Sequence, residues 1–238
     1  MITTLAASLA LLLPTAQSAQ WGPTTLKASV LADRVDARLA RVSNTTLKYH
    51  YDLQTSTLGY AFKNCESLIF GPGRFRLQMP RVVPGTFKVM FDETWIGDGK
   101  RYGVSVDEKK PAVRPLATRP TASTTPLSLW FRDFSRVILS GIGQPTHAFA
   151  NLVADAKRQK FTTVVETRAV PFRGRILVAN RIVLSRGFTR YEVVIDGKQS
   201  LPVNVINSNA QGTSGWADVD WNFRPGKALD PKLVELSR

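Results

Sequence analysis

A catalytic or metal site in this chain would have to be built from two histidines, one cysteine and a few scattered carboxylates. His50 falls in an alternating, strand-like segment and His147 at a helix start, and no acidic cluster accompanies either. A zinc or iron ligand set needs three or four converging donors, which this spacing does not supply. Asp218 and Asp220 share one face of a strand, but two carboxylates are far short of the roughly six to eight oxygens that calcium takes. They read as solvated surface. No G-x-S-x-G occurs, and Ser, His and Asp fall into no triad-like order. The Gly-x-Gly triplets lack the spacing of a phosphate loop and do not join strand to helix. The expectation is a non-catalytic protein with no cofactor and no metal.

What the chain does offer is apolar bulk at regular spacing. From Thr125 to Ile142, Leu127, Trp130, Phe131, Phe134, Val137 and Ile138 recur at helical spacing, with Thr125-Pro126 placed as a start and Gly141 as a stop. Tyr49, Tyr51, Phe62, Phe75, Phe87 and Phe91 occupy alternating segments and point, with Trp130, Phe131 and Phe134, at one interior. Two readings stay open for these nine. They pack on one another as an ordinary core, or they line an apolar cavity of the kind that holds acyl chains.

The elements that would position them follow from period. Ser29 to Val42 puts Leu31, Val35, Leu39 and Val42 on one helical face, with Asp33, Arg34, Arg38 and Arg41 elsewhere. Period-two alternation then runs through Leu47–Leu53, Tyr60–Phe62, Arg74–Met79, Phe87–Asp92 and Tyr102–Val106, which predicts antiparallel strands with one dry face. Gly71-Pro72-Gly73, Pro84-Gly85 and Gly97-Asp98-Gly99 sit where turns are needed. Lys109 to Thr125 has no period and reads as a crossing loop. Thr146 reads as the cap of a second helix carrying Phe149, Leu152, Val153 and Ala156, so a helical hairpin is expected at the centre. Strands resume near Phe161, with Ile176, Val178 and Ile182 on one face, then Tyr191–Ile195, a two-residue turn at Asp196-Gly197, Leu201–Val205 and Trp216–Phe223. The tail, Ala228 to Leu236, is expected as a last edge segment.

Composition sets the compartment. The first twenty residues carry no charge, Leu5 to Leu13 is apolar, and Ala16-Gln17-Ser18-Ala19 offers a cleavage site, so residues 1–19 are expected as a signal peptide and 20–238 as one domain. The absence of a cysteine at that site predicts a soluble exported protein with no lipid anchor, periplasmic by first choice and secreted by second. The lone Cys65 excludes an internal disulfide and reads as a small apolar strand residue. With 32 Lys and Arg against 18 Asp and Glu the net charge is +14. The cations are scattered and resemble no nucleic-acid signature, so the charge points to anionic head groups, wall polymers or acidic partners, or simply to a soluble basic surface.

The order of these elements resembles the LolA-like superfamily of periplasmic lipoprotein carriers and outer-membrane lipoprotein-sorting proteins. Local motifs carry the resemblance. Gly73-Arg74-Phe75-Arg76-Leu77-Gln78-Met79-Pro80 is similar to the family's "G-x-F" strand ending in Pro. Ile96-Gly97-Asp98-Gly99-Lys100-Arg101-Tyr102 is similar to its "i-x-D-G-k-x-x-y" hairpin, and Ile195–Pro202 to its late "D-x-x-t-x-l-P" turn. Asn222, Leu229-Asp230 and Leu233 are similar to the closing segment, with Leu where the family has Phe. The resemblance implies an α+β fold: a strongly curved antiparallel sheet (half-barrel), with an N-terminal helix and a central helical hairpin covering its concave face. It implies a carrier that binds acyl chains of lipids or lipoproteins against the nine aromatics named above, in contact with an envelope membrane protein or an anionic membrane surface and not with nucleic acid. The alternative is a sensor or interaction module on the same scaffold that binds an acidic partner or an envelope polymer. The basic charge and the Pro-rich segment before the central helix depart from the family pattern.

Overall fold

The computed structural model describes residues 20–42, 45–53, 61–62, 65–71, 73–82, 89–107, 109–115, 147–172, 174–210, 212–223 and 229–236. In 45–53, 61–62, 65–67, 79, 81–82, 89–91 and 212–217 it is the backbone alone that is described. Among the described residues the architecture is α+β, a large antiparallel sheet with two α-helices.

The alternating segments form strands as their period dictates. β1 (Gly22–Pro23) pairs with β9 (Thr162–Phe172), which opens a meander through β10 (Arg175–Arg186), β11 (Thr189–Asp196), β12 (Leu201–Asn209) and β13 (Gly212–Asn222). A second meander runs from β2 (Thr45–Leu53) through β4 (Cys65–Gly71), β5 (Arg74–Val82), β6 (Val89–Asp98) and β7 (Arg101–Val106) to β8 (Ala112–Pro115), with the short β3 (Ala61–Phe62) also on β5. The two meanders join where β13 pairs with β2, Val219 opposite Tyr49 and Trp221 opposite Leu47. The sheet is not closed: β1 and β8 end it.

The N-terminal helix α1 (Ala28–Leu39) and a second helix α2 (Ala148–Arg158) pack on each other and on this sheet. Leu31, Val35 and Leu39 of α1 and Phe149, Leu152 and Ala156 of α2 are buried in one cluster. Ile69, Phe75, Leu77, Trp95 and Tyr102 from the first-half strands belong to it too, as do Ile182, Leu184, Val193, Ile195 and Val219 from the second half. A smaller apolar cluster forms from Leu177, Ala179, Val194 and Val203, with Trp21 packed against it. The Arg181 guanidinium lies 4.3 Å from the Trp21 ring centre and is itself paired with Glu166 and Glu192.

Four sequence expectations change in detail. The aperiodic Lys109–Thr125 stretch contains the edge strand β8, whose four residues are all exposed and so carry no alternation to detect. The Asp196-Gly197 turn is longer than two residues: Gly197 to Ser200 separate the strands, because the Asp196 carboxylate accepts from the backbone N–H of Lys198 (2.8 Å) and Gln199 (3.0 Å) and Ser200 N–H closes onto the Asp196 carbonyl. The tail adds no strand among its described residues. It makes a 3₁₀ turn, Pro231–Val234, capped by Asp230, and buries Val234 and Leu236. Finally, α2 is not capped from within. His147 sits in its N-cap position with φ 48° and gives no side-chain cap; Thr146 lies outside the described residues.

That cap comes from the other helix. Asp36, in the interior of α1, accepts from Phe149 N–H through Oδ1 and from Ala150 N–H through Oδ2, both at 2.9 Å. These are among the N–H groups that a helix start leaves without intrahelical partners. At its other end α2 closes in a Schellman turn, with Phe161 N–H on the Ala156 carbonyl and Lys160 N–H on that of Lys157. Lys160 takes the left-handed position, φ 60°, usually given to glycine. Lys160→Gly is therefore expected to stabilise the chain by up to about 1 kcal/mol, read as a higher urea midpoint at unchanged slope.

Candidate functional site: an apolar groove beside the helix pair

The Schellman turn turns the chain so that Phe161 enters the interior at 8% exposure. Its ring lies 5.8 Å from that of Tyr191, and the Arg186 guanidinium covers it at 4.7 Å. Arg186 is held there by a 2.8 Å bond from Nη1 to the Gln159 carbonyl. Burial pushes the Tyr191 hydroxyl above its ordinary pKa, with Arg186 acting in the opposite direction.

Next to Phe161 a groove of about 720 Å³ opens between the segment leading into α1, one side of α2 and the start of β9. Leu26, Val153, Phe161 and Val165 supply apolar lining, Thr24, Thr25, Ser29 and Thr163 supply hydroxyls, and Lys27 and Lys157 supply two ammonium groups. Leu26, Ala28 and Val153 also pack against the main core, so the lining of the groove is continuous with the interior. The entry segment is fixed by β1 pairing with Glu166 and Thr167 of β9 and by Trp21 beneath Arg181. Its lining holds hydroxyls and ammonium groups and no carboxylate, imidazole or thiol. It can bury a hydrocarbon segment and set a negatively charged end against Lys27 and Lys157.

The candidate residues of the sequence stand as follows. Phe75 is buried at 4% exposure, in register with Ile69 and Gly97. Tyr49 lies on β2 in register with Val219 on one side and Cys65 on the other, and Tyr51 with Ala217. Phe62 of β3 and Phe91 of β6 both pair with Arg81 of β5, from opposite sides. Phe87, Trp130, Phe131 and Phe134 lie outside the described residues, as does the Thr125–Ile142 helix. His50 is in register with Asp218 on β13, whose carboxylate accepts from Asn204 Nδ2 at 2.8 Å. Among the described residues no three His, Cys, Asp or Glu converge as a metal site.

The groove residues were not legible as a site. Leu26 and Lys27 precede the first periodic segment, and Val153 reads as one more member of a helix stripe. The one local sign is that Lys27 and Lys157 each sit beside apolar positions.

No known family model matches the chain, and no curated protein does. Solved structures resemble it at low identity. LprF from Mycobacterium bovis is 9% identical, with 88% of this chain and 99% of that one covered at a TM-score of 0.47. MucB is 15% identical, with 91% of this chain covered at a TM-score of 0.43, and the chain spans 65% of the length of MucB. A LolA superfamily protein from Nitrosomonas europaea is 9% identical, with coverage of 88% and 98% and a TM-score of 0.31. Structural neighbours thus include LolA superfamily and lipoprotein-sorting proteins. Among the described residues no helix is long and apolar enough to cross a membrane.

Proposed function

We propose that this chain is an exported, periplasmic binding protein for the acyl chains of lipids or lipoproteins. One observation carries the reading: the groove of about 720 Å³ whose lining, Leu26, Val153 and Phe161, is continuous with the core and which two lysines flank. A hydrocarbon segment lying there leaves water at roughly 25 cal/mol per Å², while an anionic head group stays with Lys27 and Lys157. In this proposal the sheet is a half-barrel whose concave face is covered by α1 and a central helical hairpin, and the nine aromatics from Tyr49 to Phe134 extend the apolar lining. Release requires the helices to shift when an acceptor or membrane binds the empty state better than the loaded one.

The test is native mass spectrometry of residues 20–238 purified from a periplasmic extract without detergent, with Val153→Asp and Phe134→Asp alongside. A second mass series, heavier by one lipid and removable by organic extraction, is expected for the parent chain. A charge in the lining is expected to weaken acyl-chain uptake at least 10-fold while circular dichroism stays unchanged. Unaltered uptake by both variants would overturn the reading. The net charge of +14 favours a second one, a non-catalytic sensor or interaction module that binds an acidic partner or envelope polymer. It requires binding that weakens steeply as salt rises to physiological strength.

A further inference from the structure

The outer face of α1 is as basic as its inner face is apolar. Arg34 and Arg38 stand four residues apart on α1, and Arg41 follows in the turn just past its end, its N–H on the Arg38 carbonyl. With Ala37 between them they form one wall of a groove of about 450 Å³. The other wall is the turn between β11 and β12, carrying Lys198 and Ser200. Four cations therefore line the groove, and no carboxylate does.

Asp33 is exposed on α1 next to Arg34 but does not line the groove, and the two buried acids nearby are committed elsewhere. Asp196, at the base of the turn and 2% exposed, accepts from the backbone of Lys198 and Gln199. Asp36 points through the core side of α1 to the start of α2. Among the described residues no ion pair joins a carboxylate to Arg34, Arg41 or Lys198. Arg38 is held over the Phe223 ring at 4.9 Å, and Phe223 stacks on Trp221 at 6.3 Å. Both rings are half-buried and pack against the main core.

We infer that this groove is a docking site for the phosphate head groups of an anionic lipid surface. Three guanidinium groups along one wall suit phosphate because each offers a planar fork of donors matched to two phosphate oxygens. A groove of this size, walled by long flexible cations, fits a head group better than a folded acidic domain. The inference does not rest on the acyl-chain reading, since this groove shares no lining residue with the apolar one.

The experiment is co-sedimentation of the protein with phosphatidylglycerol-rich vesicles and with pure phosphatidylcholine vesicles at low and physiological salt. Arg34→Gln/Arg41→Gln/Lys198→Gln leaves Arg38 on Phe223 and removes three groove charges. Lys109→Gln/Lys110→Gln/Arg114→Gln removes the same charge from exposed positions around β8. Each cation near an anionic surface is worth about fivefold in binding, so the groove variant is expected to lose roughly 100-fold on anionic vesicles and the control variant only a few-fold. Equal losses in the two variants would overturn the inference, since net charge alone would then explain binding. So would an absence of vesicle binding by the parent chain, or titration of the groove by inorganic phosphate or polyglutamate in its place. Mass spectrometry of the same samples reports lipid in the apolar groove separately, so each reading fails on its own.

Discussion

Asp36→Ala is expected to lower stability by about 2–4 kcal/mol, more than any single charge on the outside of α1. The variant removes the acceptor for two backbone N–H groups at the start of α2, each of which costs about 1–3 kcal/mol if buried without a partner. It also cuts a polar tie between the two helices that joins residues 113 apart in sequence, Asp36 and Phe149. Urea unfolding should show a lower midpoint with unchanged slope. A loss below about 0.5 kcal/mol would mean that α2 finds another cap.

The same carboxylate gives a signed pH dependence. Burial raises the Asp36 pKa above the ordinary aspartate value; the N–H groups of Phe149 and Ala150 and the charge on His147 oppose this, and Asp33 reinforces it. A folded-state pKa above the unfolded one means that the folded chain holds the proton more tightly. The contribution of this group is then complete below the unfolded value and is lost as pH climbs through the folded one. Asp36→Asn does not titrate. The advantage of the parent chain over Asp36→Asn should therefore be largest in acid, shrink across the window between the two pKa values and level off above it. An advantage that grew with rising pH there would reverse the assignment.

Gly97→Ala is the second substitution with a large expected effect, about 2–3 kcal/mol destabilising. Gly97 faces Phe75 across the β5–β6 pair, and a β-carbon there would come within 2.6 Å of Phe75 Cε1 and closer still to the Gly73 carbonyl oxygen. That oxygen is fixed by a 3.2 Å bond from Gly99 N–H, so backbone as well as ring would have to move. Gly103→Ala is the internal comparison. Its β-carbon would meet Leu236 Cδ2 at 2.8 Å, the end of a side chain in the C-terminal tail, and Pro111 Cβ at 3.0 Å, with no backbone atom so near. It should cost less than Gly97→Ala, and the reverse order in urea midpoints would show the tail to be the more rigid neighbour.

One of the motifs read in the sequence falls at this hairpin. The turn at Asp98-Gly99 was legible because both residues have a local reason, whereas Gly97 belongs to β6 and answers to Phe75 across the sheet. Gly99 takes φ 97°, and Asp98 accepts from the backbone of Lys100 and Arg101 and from the Arg101 side chain. Those hydrogen bonds hold the Asp98 pKa down against the opposing pull of its partial burial.

Local order in this chain was written in local patterns. Alternation set the strands, a 3.6-residue period set the apolar face of α1, and glycine with aspartate set the turns, since each depends on residues within a few positions of one another. Tertiary structure decided everything that joins distant segments. It chose β2 as the partner of β13, let a carboxylate in α1 cap a helix more than a hundred residues later, and set the lead-in to α1 beside Val153 and Phe161 to make the apolar groove. It also brought the β11–β12 turn against Arg34, Arg38 and Arg41. No period encodes those meetings: they follow from burying one shared apolar interior, and what the interior buries is fixed only when the whole chain has folded.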